Sequence, residues 1–293
     1  MQASRGVGCV QCPRACKVRR DAGQLGFCRV PENFMVSRVA PHFWEEPCIS
    51  GEHGSGAIFF SGCNLGCVFC QNHVISRGGC GRPISEKALI NEMLRLQDEG
   101  VHNINLVTPS HYALQLASAL ANGHLAIPVV WNSSAYDSVE TLKALEGRVS
   151  IYLPDLKYLS PALSAKYSNA PDYPEVATAA IKEMYRQVGA PRFDDHGMLQ
   201  SGLIVRHLIL PGNVENTLDV IDWYSENFPG STALFSLMAQ YTPMPDMPYP
   251  ELSRRITQEE YDRVMSYLSL SEIENGYVQE RDAAGSEYIP EFY

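Results

Sequence analysis

At 293 residues and 45% hydrophobic content the chain can bury one large core, with room for a small extension. It holds no run of 18 apolar residues and no hydrophobic leader, so neither a membrane span nor a signal peptide is read. Its net charge of −10 and pI near 5.3 argue against a nucleic-acid partner, and nine cysteines without a secretion signal suggest a reducing, cytoplasmic setting and metal ligation rather than a disulfide framework.

Four of those cysteines come first. Cys9, Cys12, Cys16 and Cys28 follow the spacing C-x2-C-x3-C-x11-C. Four thiolates can close a tetrahedral site, and a closed site is usually structural. The segment is too short for a core of its own, so a bound metal can supply its folding energy. Zinc and a second [4Fe–4S] cluster both suit the spacing. Four unmetallated cysteines are the plainer alternative. Cys48 and Cys80 stand alone, and a lone cysteine more often packs as a small hydrophobe than ligates.

The densest motif is Ser61-Gly62-Cys63-Asn64-Leu65-Gly66-Cys67-Val68-Phe69-Cys70-Gln71-Asn72. Three thiols cannot all pair with each other as disulfides. Thiolates at this density suit a soft metal or an iron–sulfur cluster. A [4Fe–4S] cluster held by three cysteines has one iron left to bind a substrate or cofactor, which points to chemistry rather than electron storage.

Beyond the loop the chain alternates. Residues 57–61 are a short apolar run. Ser85 reads as the cap of a helix over 86–98 that ends at Gly100. Strand patterns follow at 104–107, 127–131, 149–153, 203–210 and 232–238. Helical patterns lie between them at 112–121, 139–145, 175–188 and 218–227. Residues 243–250 read as a proline-rich loop before a last helix at 258–268. This rhythm implies parallel strands with right-handed crossovers. The expected fold is α/β: a partial TIM-type (β/α)6 barrel with a small Cys-rich N-terminal extension. The division is residues 1–50 for the extension, 51–255 for the barrel, and 256–293 for a helix and tail packed on it.

In such folds the active site lies at the C-terminal strand ends. Those ends carry Cys63, Cys67 and Cys70, then Thr108 and Ser110, then Asn132 and Ser133, then Asp155 and Lys157. Arg206 and His207 lie in the fifth strand on opposite faces, and Arg206 is the one expected to face inward.

The C-x3-C-x2-C loop, with Phe69 just before its last cysteine, resembles the signature of radical S-adenosylmethionine (radical SAM) enzymes. The wider stretch from Gly56 to Asn72 is similar to the branch related to pyruvate formate-lyase activating enzymes, and the N-terminal cysteines resemble those of uncharacterised relatives of that branch. The resemblance implies a [4Fe–4S] cluster on Cys63, Cys67 and Cys70 that binds and cleaves S-adenosylmethionine to a 5′-deoxyadenosyl radical. It implies contact with S-adenosylmethionine by the Asp155-Leu156-Lys157 segment; a buried arginine without a partner is costly, which favours an anionic ligand or carboxylate beside Arg206. The family's Gly-Gly-Glu is replaced here by Thr108-Pro109-Ser110. Thr108 and Ser110 are therefore the candidates for the methionine amino group, with Asn132 and Ser133 near the ribose. The expected activity is hydrogen abstraction from a protein or peptide, similar to a glycyl radical enzyme activase, with a flavodoxin- or ferredoxin-type electron donor. A radical SAM enzyme for another peptide or small molecule is the first alternative. A non-catalytic iron–sulfur or metal-binding protein is the second.

Overall fold

The computed structural model describes residues 8–281 and residue 292. The tail over 282–291 and 293, expected to pack on the main domain, lies outside the described residues.

In chain order the strands are β1 (Phe34–His42), β2 (Ser55–Phe60), β3 (Arg82–Ile84), β4 (Ile104–Val107), β5 (Val129–Ser133), β6 (Ile151–Pro154), β7 (Arg192–Phe193), β8 (Leu199–Leu208), β9 (Leu234–Met238) and β10 (Gly276–Val278). The helices are α1 (Pro47–Ser50), α2 (His73–Ser76), α3 (Glu86–Asp98), α4 (Ala113–Gly123), α5 (Val139–Lys143), α6 (Pro161–Ser168), α7 (Tyr173–Val188), α8 (Val214–Asn227) and α9 (Gln258–Leu268). Local chemistry sets several boundaries. The Ser85 hydroxyl accepts from the Ala88 N–H and opens α3 where the sequence expects it. Thr257 and Glu260 form a reciprocal capping box at α9.

The sheet runs β10-β9-β8-β6-β5-β4-β2-β1-β3. Along this path every neighbour from β2 to β10 is parallel, while β1 joins β2, and β3 joins β1, antiparallel, and β7 pairs antiparallel with β8 off the path. The six strands read from sequence are all present, and the class is α/β as expected. Among the described residues pairing stops at β3 and β10, so the sheet there does not close into a ring. Strands β1, β3, β7 and β10 and helices α1, α2 and α6 carry no clear periodicity and escape the sequence reading. Residues 34–50, grouped with the extension on sequence, supply β1 and α1 to the main sheet and its inner face.

The two faces of the sheet differ. The outer face is apolar and packs under the helices, with Ile58, Phe60, Leu106, Trp131, Tyr152, Val205 and Leu237 among the buried residues. The inner face is stratified. Cys48 and Ile49 of α1 pack against Val130, Ile151, Ile204 and Leu234 at its base. A polar layer of Asn105, Asn132, Arg206 and Ser236 lies above, all facing Glu45 or Glu46. Near the strand ends Ala57, Phe59 and Val107 pack with Ile75, Cys80 and Phe292. Cys48 is thus a packed small hydrophobe, as expected of a lone cysteine.

The loops at the C-terminal strand ends meet. Phe69, after β2, lies 6.3 Å from the Tyr158 ring after β6 and 6.2 Å from the Tyr241 ring after β9. Strands β2 and β9 are five places apart, about 24 Å along a flat sheet. The Gln71 amide also reaches the Gln240 carbonyl beyond β9. The cysteine loop therefore bridges the whole row of strand ends.

Candidate metal and cofactor site

The loop after β2 is pinned by its backbone. Gly62 and Gly66 adopt positive φ of 79° and 76°, a region glycine enters without a Cβ clash. A Cβ on Gly62 would stand 2.4 Å from the Cys28 carbonyl oxygen. The Gly62 N–H donates to the Ile75 carbonyl and the Val68 N–H to the Tyr167 carbonyl, at 2.9 Å each.

Each of the three thiols accepts a hydrogen bond. The Leu65 N–H donates to Cys63 Sγ at 3.3 Å, the Ser168 hydroxyl to Cys67 Sγ at 3.1 Å, and the Ser76 hydroxyl to Cys70 Sγ at 3.4 Å. The Tyr158 hydroxyl, 2.9 Å from that of Ser168, also bears on Cys67. Burial pushes the Cys70 thiol up to about 12, and the neighbouring Cys67 and Cys63 add to the rise. Burial likewise raises Cys67, against the pull of Lys157 and Ser168. A bound cation inverts this balance and takes up the thiolates.

Among the described residues no three Cys, His, Asp or Glu side chains gather tightly enough to hold a single metal ion. An iron–sulfur cluster asks for a different arrangement, because it spreads its cysteine sulfurs over several irons. Three soft donors, each with its own hydrogen bond, fit a [4Fe–4S] group with one iron open. Hydrogen bonds to the sulfurs also tune the potential of such a group.

Lys157 stands beside these thiols. Its Nζ donates to Asp155 Oδ2 at 2.8 Å, and its charge bears on Cys67 and Cys70. Among the described residues its ammonium donates to Asp155 alone, so donors remain for a ligand carboxylate. The segment is held from both sides: the Tyr173 hydroxyl accepts from the Lys157 N–H at 2.9 Å, and Asn216 donates to its carbonyl at 3.0 Å. Burial opposes the charge on both Asp155 and Lys157, yet Asp155 is held low by Arg206 and Lys157, and Lys157 is held high by Asp155.

Arg206 is committed within the protein. Its guanidinium donates to Asp155 Oδ1, Glu45 Oε2 and Asn132 Oδ1, each at 2.7 Å. Asn132 and Asn105 in turn donate to Glu45 Oε1 at 2.9 and 3.0 Å. Glu46 lies 4.0 Å from Arg206, with Oε2 otherwise unpartnered among the described residues; burial raises its pKa despite that neighbour. Removing one member of a buried network of this kind costs about 3–5 kcal/mol. His207 is on the opposite face, bonded to the Leu156 carbonyl and the Thr217 hydroxyl.

Ser110 and Ser133, expected near the cofactor, both donate to the buried Asp137 carboxylate, Ser133 at 2.5 Å. Trp131 Nε1 completes that cluster at 3.3 Å. Thr108 is at φ +59°. A β-branched residue in this region is a backbone outlier, and such strain concentrates at functional sites. Glu45, Glu46, Asn105, Ser168 and Tyr158 were not singled out from sequence, since nothing local marks them. Glu45 and Arg206 are 161 residues apart.

The N-terminal cysteines form a second group. Cys12 and Cys28 are buried, and burial pushes the Cys12 thiol up to about 12, with Cys28, Cys9 and Cys16 each adding to it. Ala15, Lys17 and Arg29, all next to cysteines, take positive φ of 39°, 55° and 60°. The Cys9 N–H bonds the Val18 carbonyl and the Lys17 N–H bonds the Cys9 carbonyl, which folds Cys9–Val18 into a small hairpin. These four thiols are likewise not drawn together tightly enough for a single ion among the described residues, but four soft donors on such turns are the donor set of a closed four-thiolate group.

Residues 57–192 match the model of the radical SAM superfamily. The matched segment contains the three loop cysteines, Thr108, Ser110, Asn132, Ser133, Asp155 and Lys157. The superfamily implies a [4Fe–4S] cluster and S-adenosylmethionine, consistent with the fit of the loop. Among curated relatives, an uncharacterized protein of Methanocaldococcus jannaschii is 29% identical over 268 residues, 88% of this chain and 73% of its own. Among solved structures, Streptococcus suis SuiB bound to its precursor peptide SuiA matches with TM-score 0.52 and 14% identity, over 75% of this chain and 47% of that one. The same protein bound to S-adenosylmethionine matches with TM-score 0.51 and 14% identity, over 75% and 48%. Methylornithine synthase matches with TM-score 0.51 and 17% identity, over 73% and 62%. At these identities the likeness is one of fold, and this chain spans about half the length of SuiB.

Proposed function

We propose that this chain is a radical SAM enzyme that abstracts hydrogen from a protein or peptide substrate. The observation that carries the reading is the loop itself: three thiols, each with its own hydrogen-bond donor, beside a lysine with uncommitted donors. Cys63, Cys67 and Cys70 hold the [4Fe–4S] cluster. When bound, the cluster and S-adenosylmethionine supply the electron and the 5′-deoxyadenosyl radical for the reaction. Lys157 meets the methionine carboxylate as a point charge. Thr108 turns its strained backbone toward the same strand ends. Asp155, itself held by Arg206, keeps Lys157 charged and in place, and Ser110 and Ser133 hold the following turn through Asp137. The aromatic group of Phe69, Tyr158, Tyr167 and Tyr241 shields one side of the loop from water. The N-terminal cysteines hold zinc or a second cluster.

A peptide substrate is favoured by the complex of SuiB with its precursor peptide. Nothing in the site favours a glycyl radical protein over other peptides. The electron donor is a flavodoxin- or ferredoxin-type protein, and the compartment a reducing cytoplasm. Among the described residues no helix is long and apolar enough to cross a membrane.

The test is anaerobic reconstitution with iron and sulfide, reduction, addition of S-adenosylmethionine, and assay of 5′-deoxyadenosine alongside iron and zinc per chain. Product formation that disappears when Cys63, Cys67 and Cys70 are replaced supports the reading. A reduced, fully loaded protein that forms no product with S-adenosylmethionine and a panel of peptides overturns it in favour of a non-catalytic iron–sulfur protein.

A further inference from the structure

The four-cysteine module is packed directly against the back of the loop after β2, and one side chain makes most of the connection. Arg14 lies between Cys12 and Cys16. Its guanidinium donates to four main-chain carbonyls: Asn64 at 2.9 Å, Leu65 at 3.1 Å, Ser168 at 3.0 Å and Asn169 at 2.6 Å. Asn64 and Leu65 are the two residues that follow Cys63. Ser168 is the residue whose hydroxyl donates to Cys67 Sγ. Arg14 therefore ties the stretch between two loop cysteines to the hydrogen-bond donor of the second.

Other contacts repeat the arrangement. The Arg14 guanidinium stacks 3.8 Å from the Phe27 ring centroid, and Arg77 lies over the same ring at 4.7 Å. The Cys28 carbonyl sits against Gly62, leaving no room for a Cβ before Cys63. The buried Arg20 donates to the His111 carbonyl at 2.7 Å, and His111 Nε2 is 2.9 Å from the Ser61 carbonyl. Within the module Ala15 and Lys17 hold a left-handed backbone region that disfavours residues other than glycine. Such turns persist only where their surroundings over-determine them. Among the described residues this module has a hairpin and one short 3-10 turn, Arg20–Ala22, but no core of its own. Metal binding is what can stiffen so small a segment.

We propose that the N-terminal module is a metal-stiffened brace for the cluster loop, with Arg14 as its positioning residue. Metal binding at Cys9, Cys12, Cys16 and Cys28 and cluster binding at Cys63, Cys67 and Cys70 are then coupled, each strengthening the other. The inference rests on the reading of the loop cysteines as cluster ligands. A guanidinium presents five donors in a planar fork, which suits four carbonyls, whereas an ammonium has three donors at a single point.

The experiment compares wild type, Arg14→Ala, Arg14→Lys and Cys12→Ser, with a Cys63→Ala/Cys67→Ala/Cys70→Ala triple variant as the control that assigns iron to the loop. Two readouts are taken. One is amide hydrogen exchange over residues 62–72 before iron is added, with the N-terminal metal measured in the same sample. The other is loop-bound iron after reconstitution, by iron count and electron paramagnetic resonance. Arg14→Ala is expected to keep its N-terminal metal, to exchange loop amides about tenfold faster or more, and to lose most of the loop iron. Arg14→Lys falls between it and wild type. Cys12→Ser loses the N-terminal metal and shows the same loop defect. Equal loop exchange and equal loop iron in Arg14→Ala and wild type overturn the brace. If Arg14→Ala does not fold, Arg14→Lys decides by the same two readouts, and wild-type values there overturn the brace. Absence of loop iron in wild type strikes the cluster reading instead, and hydrogen exchange then decides the brace by itself.

Discussion

The four cysteines of the N-terminal module and the three of the loop after β2 differ in number, in backbone and in what faces them. The first group lies on tight turns with non-glycine residues at positive φ, and its thiols face mostly one another. The second lies on a loop whose positive-φ positions are glycines, at the meeting point of strands β2, β6 and β9. Its thiols face hydroxyls, an N–H and a lysine. Four donors on such turns have the number to close a coordination sphere. Three donors beside an ammonium that Asp155 occupies only in part have room on one side for a ligand. The comparison teaches that an open ligand set is recognised as much by its polar neighbours as by its cysteine count.

The largest effect expected to sharpen this contrast is at the loop. Cys67→Ala should abolish loop-bound iron and 5′-deoxyadenosine formation while the circular dichroism of the folded chain persists. Full cleavage activity in that variant would remove the loop from the account. Next comes the closed site. Metal analysis of Cys12→Ser should show the loss of one zinc or of about four irons per chain, the two values that separate a zinc site from a second cluster. Unchanged metal content would mean that the N-terminal thiols bind nothing.

A smaller effect concerns the open side. Lys157→Ala should weaken S-adenosylmethionine binding about tenfold to a hundredfold, the worth of a hydrogen bond to a charged group, with cluster content unchanged. Calorimetry on the reconstituted protein reads it, and an unaltered Kd would leave Lys157 a purely structural partner of Asp155. The smallest change is at the donor to sulfur. Ser168→Ala should lower the cluster's reduction potential by about 40 mV, which corresponds to roughly 1 kcal/mol for one electron. Spectroelectrochemical titration measures it; a shift in the opposite direction would mean that the hydroxyl does not stabilise the reduced cluster.

Local features were legible in the sequence. The spacing of both cysteine groups, the cap at Ser85, the end of the last helix and the order of the six parallel strands all depend on residues a few positions apart. The opposite orientation of Arg206 and His207 followed from the two-residue period of a strand. The occupation of Arg206 did not. It was expected beside an anionic ligand or carboxylate, and the carboxylates turn out to be Asp155 and Glu45, the latter from a stretch with no periodic signal. Ser110 and Ser133 were marked by their place at strand ends, but only the packed chain shows that Asp137 takes both hydroxyls.

What the sequence by itself determined about this protein is its donor chemistry: seven cysteines in two sets, the glycines that let the loop turn, and the alternation that lays parallel strands side by side. These are short-range properties, set by spacing and by the conformations each residue can adopt. What only the tertiary structure decided is which distant groups meet. Arg14 reaches carbonyls 50 and 155 residues away, and Glu45 joins a network completed by Arg206. Such contacts form where the packed sheet and its loops bring their ends together, and no local pattern encodes which partner will stand there.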